Sequence, residues 1–368
     1  MAHLVSQSQA ILASRSPMLR PQEQAMNERE LQAWLDIVPS LQPAQREQLR
    51  RKLQASDSQD EVYSVLRQRC AAGVACPHCQ STGAVRNGHA NGLQRFRCQC
   101  CGRSFNALTG TPLARLRHRD KWLSQAQALN AGLSVRKAAL NMDVHRTTAF
   151  RWRHRFLALP AEQKAQSLQG IAEADETYEL HSFKGQRRQL LAVQRAPRRR
   201  GGKATKRGLS AEQVPILVLR DRSGSTTDFV LKRRDKAAVQ ELLPQALAKD
   251  AVLCSDGSGL LAHAAMGLGF EHQGVNLSKG VRIRGAWHIQ NVNAYHSRWK
   301  QWMDRFKGVA TSYLENYLGW FRALDRNAQT GAAGELLVVL DELKRLSDCG
   351  CPEPEKFVRR IALDDVGR

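Results

Sequence analysis

The sequence predicts a multidomain α+β protein, and three observations carry that prediction. Two C-x-x-C pairs, Cys76/Cys79 and Cys98/Cys101, bracket a stretch rich in turn residues and short strands. Behind them, as far as residue 160, apolar residues recur at spacings of three and four, the period of helices. From about residue 168 the pattern changes to short apolar runs bounded by Gly, Ser and Asp, the mark of strands, before helical spacing returns.

Composition narrows the function classes. The 368 residues are 42% hydrophobic and 24% charged, enough for real cores and two or three folding units. Fifty-six Lys and Arg against thirty-four Asp and Glu give a formal net charge of +22, which favours a polyanionic partner because phosphate neutralisation releases counterions. No run approaches the roughly 18 apolar residues of a membrane span, and a cytoplasmic chain without a membrane partner is expected. The start, "MAHLVSQSQAILASRSPMLR", has no acids and no convincing apolar signal core, and reads as a mobile leader.

The first segment, residues 1–70, reads as two or three short amphipathic helices broken at Pro39 and Pro43, with no chemistry of its own. Residues 71–110 form the next unit. Eighteen residues separate "CPHC" from "CQCC", the layout of a structural zinc ribbon in which two tight turns present Cys76, Cys79, Cys98 and Cys101 tetrahedrally. Gly83, Gly88 and Gly92 supply turns, and "QRFRC" a strand. His78 and Cys100 are the rival ligands, at offsets that break the C-x-x-C geometry. Cys70, Cys254, Cys349 and Cys351 are read as unliganded, and a disulfide framework belongs to small secreted chains instead.

Residues 111–160 have the form of a helix-turn-helix. Gly132 ends a first helix, Ser134 caps "VRKAALN", "MDV" turns, and a second helix starts at His145. Its exposed face is expected to carry Arg146, Thr147, Arg151 and Arg153 into a major groove. A plain helical packing unit is the competing reading.

Residues 168–345 read as strand, strand, strand, helix, strand, then helices, the element order of ribonuclease H-like nucleases. The strands are "GIAEADETYEL", a hairpin "VPILVLRDRSGSTTDFVL" turning at Ser223 and Gly224, and "DAVLCSDG". Asp175 falls on the first and Asp256 just past the last, so adjacent central strands would bring them together. Glu173, Asp175, Thr177 and Glu179 share one strand face and Glu176 takes the other. Glu176 and Glu179 are read as solvated acids pairing with the basic stretch beyond; Asp175 is read as the buried one. Two close carboxylates repel unless a cation sits between them, and magnesium or manganese would supply that charge. The insert 184–210, which contains Arg198, Arg199 and Arg200, reads as a flexible arm contacting DNA backbone. "NAYHSRWKQWMDRFKGVATSYLENYLGWFRAL" reads as a helix with a core aromatic stripe, and residues 346–368 as a tail.

From "CPHC" to "NYLGWFR", about two thirds of the chain, the sequence resembles the zinc-ribbon group of bacterial insertion-sequence transposases, whose catalytic domain is ribonuclease H-like and DDE-type. The matching pieces are "CPHCQSTGAVRNG", "RFRCQCCGRSFNALTGTPLARLR", "ADETYELHSFKG", "CSDG" and "HIQNVNAYHSRWKQWMDRFKGVATSYLENYLGWF". The resemblance maps the first acid to Asp175 through "DETY", the second to Asp256 through "SDG", and the third position to Asn293, with Lys300 seven residues on. Asn293 departs from the strict DDE pattern: an amide oxygen coordinates a hard cation without bringing charge. His288, His296, Glu271 and Glu315 stand as further contributors. The resemblance implies a transposase that binds double-stranded DNA at the terminal inverted repeats of its element. It would cut and join that DNA with magnesium or manganese, act as a homodimer or larger assembly, and associate with the bacterial nucleoid. A DNA-binding regulator with a degenerate catalytic domain and a metal-dependent nuclease or resolvase are the alternatives.

Overall fold

A computed structural model of the protein describes residues 27–71, 75–111, 113–186, 212–257, 259–275 and 282–330, with 188, 202, 204, 205, 210 and 280 as single positions. The chain divides into two compact units, residues 1–56 and 57–368. In the first, α1 (Glu28–Ile37) begins with a capping box in which Asn27 and Glu30 satisfy each other's backbone N–H groups. Pro39 lies in a short 3-10 turn, whereas Pro43 opens a single 29-residue helix, α2 (Pro43–Ala71). The expected break at Pro43 is therefore a helix start, because proline has no N–H to lose in a first turn.

The second unit opens on a three-stranded antiparallel sheet, β1 (Ala84–Ala90), β2 (Leu93–Cys98) and β3 (Ser104–Asn106). Asn91 and Gly92 join β1 to β2 with φ of 51° and 76°, the double positive φ that a tight hairpin needs. Three helices follow: α3 (Trp122–Asn130), α4 (Val135–Asn141) and α5 (Arg146–Glu162). The Ser134 hydroxyl accepts from the Lys137 N–H at the start of α4, and Asp143 turns the chain toward α5 at φ 49°.

The main sheet holds β4 (Ile171–Leu180), β5 (Gln213–Asp221), β6 (Thr226–Val230), β7 (Val252–Ser255) and β8 (His272–Gly274) in the order β6-β5-β4-β7-β8. β5 runs antiparallel to both β4 and β6; β7 and β8 run parallel to β4. One face carries Ala172, Ala174, Leu217 and Leu219, packed with Val239 and Leu243 of α6 (Lys236–Ala246) and Leu261 and Ala264 of α7 (Gly259–Met266). On the other, Ile216, Val218 and Cys254 share a core with α8 (Gln290–Asp304) and α9 (Leu314–Thr330). The expected single C-terminal helix is two, because Lys307 and Gly308 turn the chain at φ 49° and 96°.

The core beneath α8 and α9 continues without a break into α3, α4 and α5, taking in Trp122, Trp152 and Phe156 beside Trp299, Trp302 and Trp320. The Trp320 indole donates to the Leu129 carbonyl at 3.0 Å. Arg322 reaches the carbonyls of Pro160 and Gln163 while pairing with Asp228 of β6. The aromatic stripe read from the sequence is thus packing surface, as its burial shows.

Candidate active site and metal centre

The four cysteines converge. One sulfur from each of Cys76, Cys79, Cys98 and Cys101 lies within 4.8 Å of the others, and among the described residues no other group of three or more His, Cys, Asp or Glu does this. Two backbone turns build the site: Gln80 N–H to Cys76 O at 2.8 Å, and Gly102 N–H to Cys98 O at 3.0 Å. Gln80 and Gly102 adopt positive φ, and the Cys101 N–H points at the Cys98 sulfur. Phe96 and Phe105 stack beside this set, the small core it holds together. The donors fit a tetrahedral zinc ion, and Cys100 and His78 are exposed outside them.

Asp175 and Asp256 are brought together by the sheet. In the parallel ladder Glu173 pairs with Cys254, so each aspartate stands two positions past the same rung. Burial and then the charge of Asp256 push the Asp175 carboxyl up to about 6. Such a pair of hard oxygen donors suits a divalent cation that would relieve their repulsion.

The odd-numbered face of β4 meets α8 along its length. Glu173 accepts from Val292 N–H at 2.9 Å, His296 Nδ1 lies 3.6 Å from the Asp175 carboxylate, and Glu179 accepts from the Trp299 indole at 2.8 Å. Between the first two contacts the spacing matches, since two strand residues and four helical residues each advance about 6–7 Å; from Asp175 to Glu179 the strand outruns the helix, and the long Glu179 and Trp299 side chains close the gap. Glu179 is consequently not the solvated strand end the sequence suggests: burial raises its carboxyl, with the Trp299 hydrogen bond and Lys300 opposing. Glu176 is also covered, and it pairs bidentately with Arg234, from the segment after β6, at 3.1 and 3.2 Å.

Asn293 and Lys300 are exposed on α8, with the buried His296 three residues after Asn293 and four before Lys300, on the same helical face. Lys300 is close enough to lower the Asp175 and Glu179 carboxyls. Burial, then Lys300, hold the His296 imidazole down at about 4, and its Nε2 is buried without a hydrogen bond. His288 lies instead at Glu173, 3.3 Å away, and Glu271 is exposed beside Gln273. Two residues of this neighbourhood escape the sequence reading. Arg222 binds Glu173, and His272 accepts or donates at the Ser255 hydroxyl, 2.8 Å away and next to Asp256. Neither belongs to a motif; only the strand pairing puts them there.

On α5, Arg146, Thr147 and Arg151 are exposed as expected, with Arg136 and Lys137 of α4 exposed as well. Arg153 is not available to a groove. It is 1% exposed, donates to the Leu133 carbonyl and the Tyr317 hydroxyl, and lies over the Trp320 ring. It shares the helical face of Arg146, but two turns further along that face runs under α9. Arg198, Arg199 and Arg200 lie outside the described residues.

No helix among the described residues is long and apolar enough to cross a membrane. Residues 167–322, from the lead-in to β4 through α9, match the ISXO2-like transposase domain. The chain is also 28% identical, over 255 residues covering 68% of it and 84% of the relative, to an uncharacterized protein in transposable element ISH50 of Halobacterium salinarum. The matched stretch includes both aspartates and α8, so this part of the chain is similar to an insertion-sequence transposase domain.

Proposed function

We propose that this protein is a transposase that binds the terminal inverted repeats of its element and performs metal-dependent DNA cleavage and strand transfer at Asp175, Asp256 and Asn293. The observation that carries the reading is the Asp175–Asp256 pair, set on neighbouring parallel strands, with Asp175 raised by burial and by its partner. The strand order, with its antiparallel hairpin beside two parallel strands, supports a ribonuclease H-like catalytic domain.

In this reading Asp175 and Asp256 hold magnesium or manganese, the Asn293 amide oxygen completes the donor set, and Lys300 steadies a phosphate. When bound, the cation supplies the positive charge that activates the attacking oxygen and offsets charge on the leaving one. Two in-line displacements at phosphorus follow. Water opens a phosphodiester at the element end and frees a 3′-hydroxyl; that hydroxyl attacks a target phosphodiester, forming the new bond and releasing a target 3′-hydroxyl. No covalent link to the protein is needed. The cysteine set holds structural zinc, and the exposed Arg146, Thr147 and Arg151 read DNA together with the arm carrying Arg198, Arg199 and Arg200. Joining two ends to one target calls for a homodimer or larger assembly.

The test is strand transfer by the purified protein in magnesium or manganese on DNA carrying the element's ends. Joined products that vanish in Asp175→Ala and Asp256→Ala and decline in Asn293→Ala support the reading, and a gain in Asn293→Glu shows that ligand charge was limiting. DNA binding without cleavage points to a regulator. Cleavage without joining points to a nuclease or resolvase.

A further inference from the structure

Glu173 is completely buried two residues before Asp175, on the same strand face, yet its carboxylate serves other partners. One oxygen accepts from Val292 N–H at 2.9 Å; the other takes the Asn291 side-chain amide at 3.0 Å and the Arg222 guanidinium, with His288 at 3.3 Å. Helix α8 needs this. Its N-cap residue is Ile289, which offers no side-chain acceptor; His288 Nδ1 lies 3.3 Å from the Gln290 N–H, and the Val292 N–H depends on Glu173. An acid at a helix N-terminus also opposes the positive end of the helix dipole. Arg222, in the turn between β5 and β6, donates onward to the Ala286 carbonyl at 2.8 Å and so ties down the segment that leads into α8.

We infer that Glu173 is a positioning residue of the active site: with Arg222 and His288 it clamps the start of α8 to β4, fixing the roll and height at which Asn293, His296 and Lys300 meet Asp175 and Asp256. Trp299 to Glu179 is the second fastening, two turns along, and Asp175 faces His296 between the two. A helix held at one point rolls about 100° per residue of slip, whereas one held at both ends of the site keeps its face toward the carboxylates. The catalytic part of the inference rests on the reading of Asp175, Asp256 and Asn293 given above; the clamp itself does not.

The experiment compares full-length wild type, Glu173→Gln, Arg222→Lys and Asp175→Asn by hydrogen exchange over residues 288–296 and by strand transfer at saturating DNA. Glu173→Gln should speed exchange at the start of α8 about tenfold, the size expected for a lost cap, with residues 214–219 unchanged. It should also slow transfer at least about tenfold while DNA affinity stays within about twofold. Arg222→Lys should do both to a smaller degree, and it carries the test if Glu173→Gln does not fold. Asp175→Asn should abolish transfer without the selective loosening at the start of α8 that Glu173→Gln produces. Unchanged exchange at the start of α8, or full transfer despite loosened exchange, overturns the inference. If wild type itself joins no DNA, the catalytic reading has failed, and the exchange result alone decides the clamp.

Discussion

Asp175 and Asp256 stand two residues past one rung of the β4–β7 ladder, the pairing of Glu173 with Cys254. Because the strands are parallel, both carry their aspartates toward the same end of the sheet, just beyond the last rung they share. Burial first, and then the charge of Asp256, raise the Asp175 carboxyl.

A pH dependence follows. A carboxyl raised in the folded chain favours folding while protonated; that contribution is full below the ordinary aspartate range and is lost as pH rises through about 6. Without metal, Asp175→Asn should therefore stabilise the protein above pH 6, by up to about 2 kcal/mol, and hardly at all near pH 4. Urea unfolding of both proteins at pH 4.5 and 8, in chelator, checks this; an equal difference at the two pH values would sink it. Added manganese should reverse the order at pH 8, since only the wild type has the full donor pair.

The arginines of α5 should separate into two kinds. Arg146→Ala and Arg151→Ala, both at exposed positions, should weaken DNA binding and flatten its salt dependence by about one unit of slope for each phosphate left without its arginine. Arg153→Ala should act on stability, because it empties a buried site and leaves the half-buried Leu133 carbonyl without its donor, at a cost of about 1–3 kcal/mol. Salt titrations of DNA affinity, read beside thermal melts, distinguish them. A shallower salt slope in Arg153→Ala without loss of stability would contradict the packing role.

Arg153 also shows where the sequence stopped being informative. Period 3.6 identifies which face of α5 a residue occupies, and Arg146 and Arg153 do share one; it cannot say that α9, over 150 residues later, covers only the far half. The cysteine set was legible because all its ligands follow from local turns, and the approach of Asp175 to Asp256 because one lies on a strand with an apolar start and the other just past an apolar strand. Glu179 was misread for the opposite reason. Its partner, Trp299, lies 120 positions away, so no local pattern marks it as buried. Glu173, Arg222 and His288 likewise belong to three separate elements, and only the folded sheet brings them together.

The packing of α5 against α9 offers a steric test. A Cβ added at Gly319 would meet Ala161 and the Pro160 carbonyl carbon at 2.5 Å, all backbone atoms that no rotamer change can move. Gly319→Ala should accordingly destabilise the protein by about 1–3 kcal/mol despite alanine's better helix propensity, because the two helices must separate. Denaturant unfolding reads this directly, and a neutral or stabilising result would mean that the helices do not cross at this distance.

Removing the metal should unfold one part of the chain and spare another. The sulfur cluster's own core is small, with Phe96 and Phe105 stacked beside Cys76 and Cys98, so four ligands to one ion must supply much of its order. The main sheet has a core on each face and contains none of these cysteines, although Leu93 of β2 reaches the core beneath α8 and α9. Purified protein should carry one zinc per chain by elemental analysis. In Cys98→Ser or after chelation, exchange should become fast across residues 84–106 while residues 214–219 stay protected, and affinity for the element's ends should fall with it. Full protection of residues 84–106 without zinc would show that the hairpin stands on its packing alone, and the cysteines would then need another explanation.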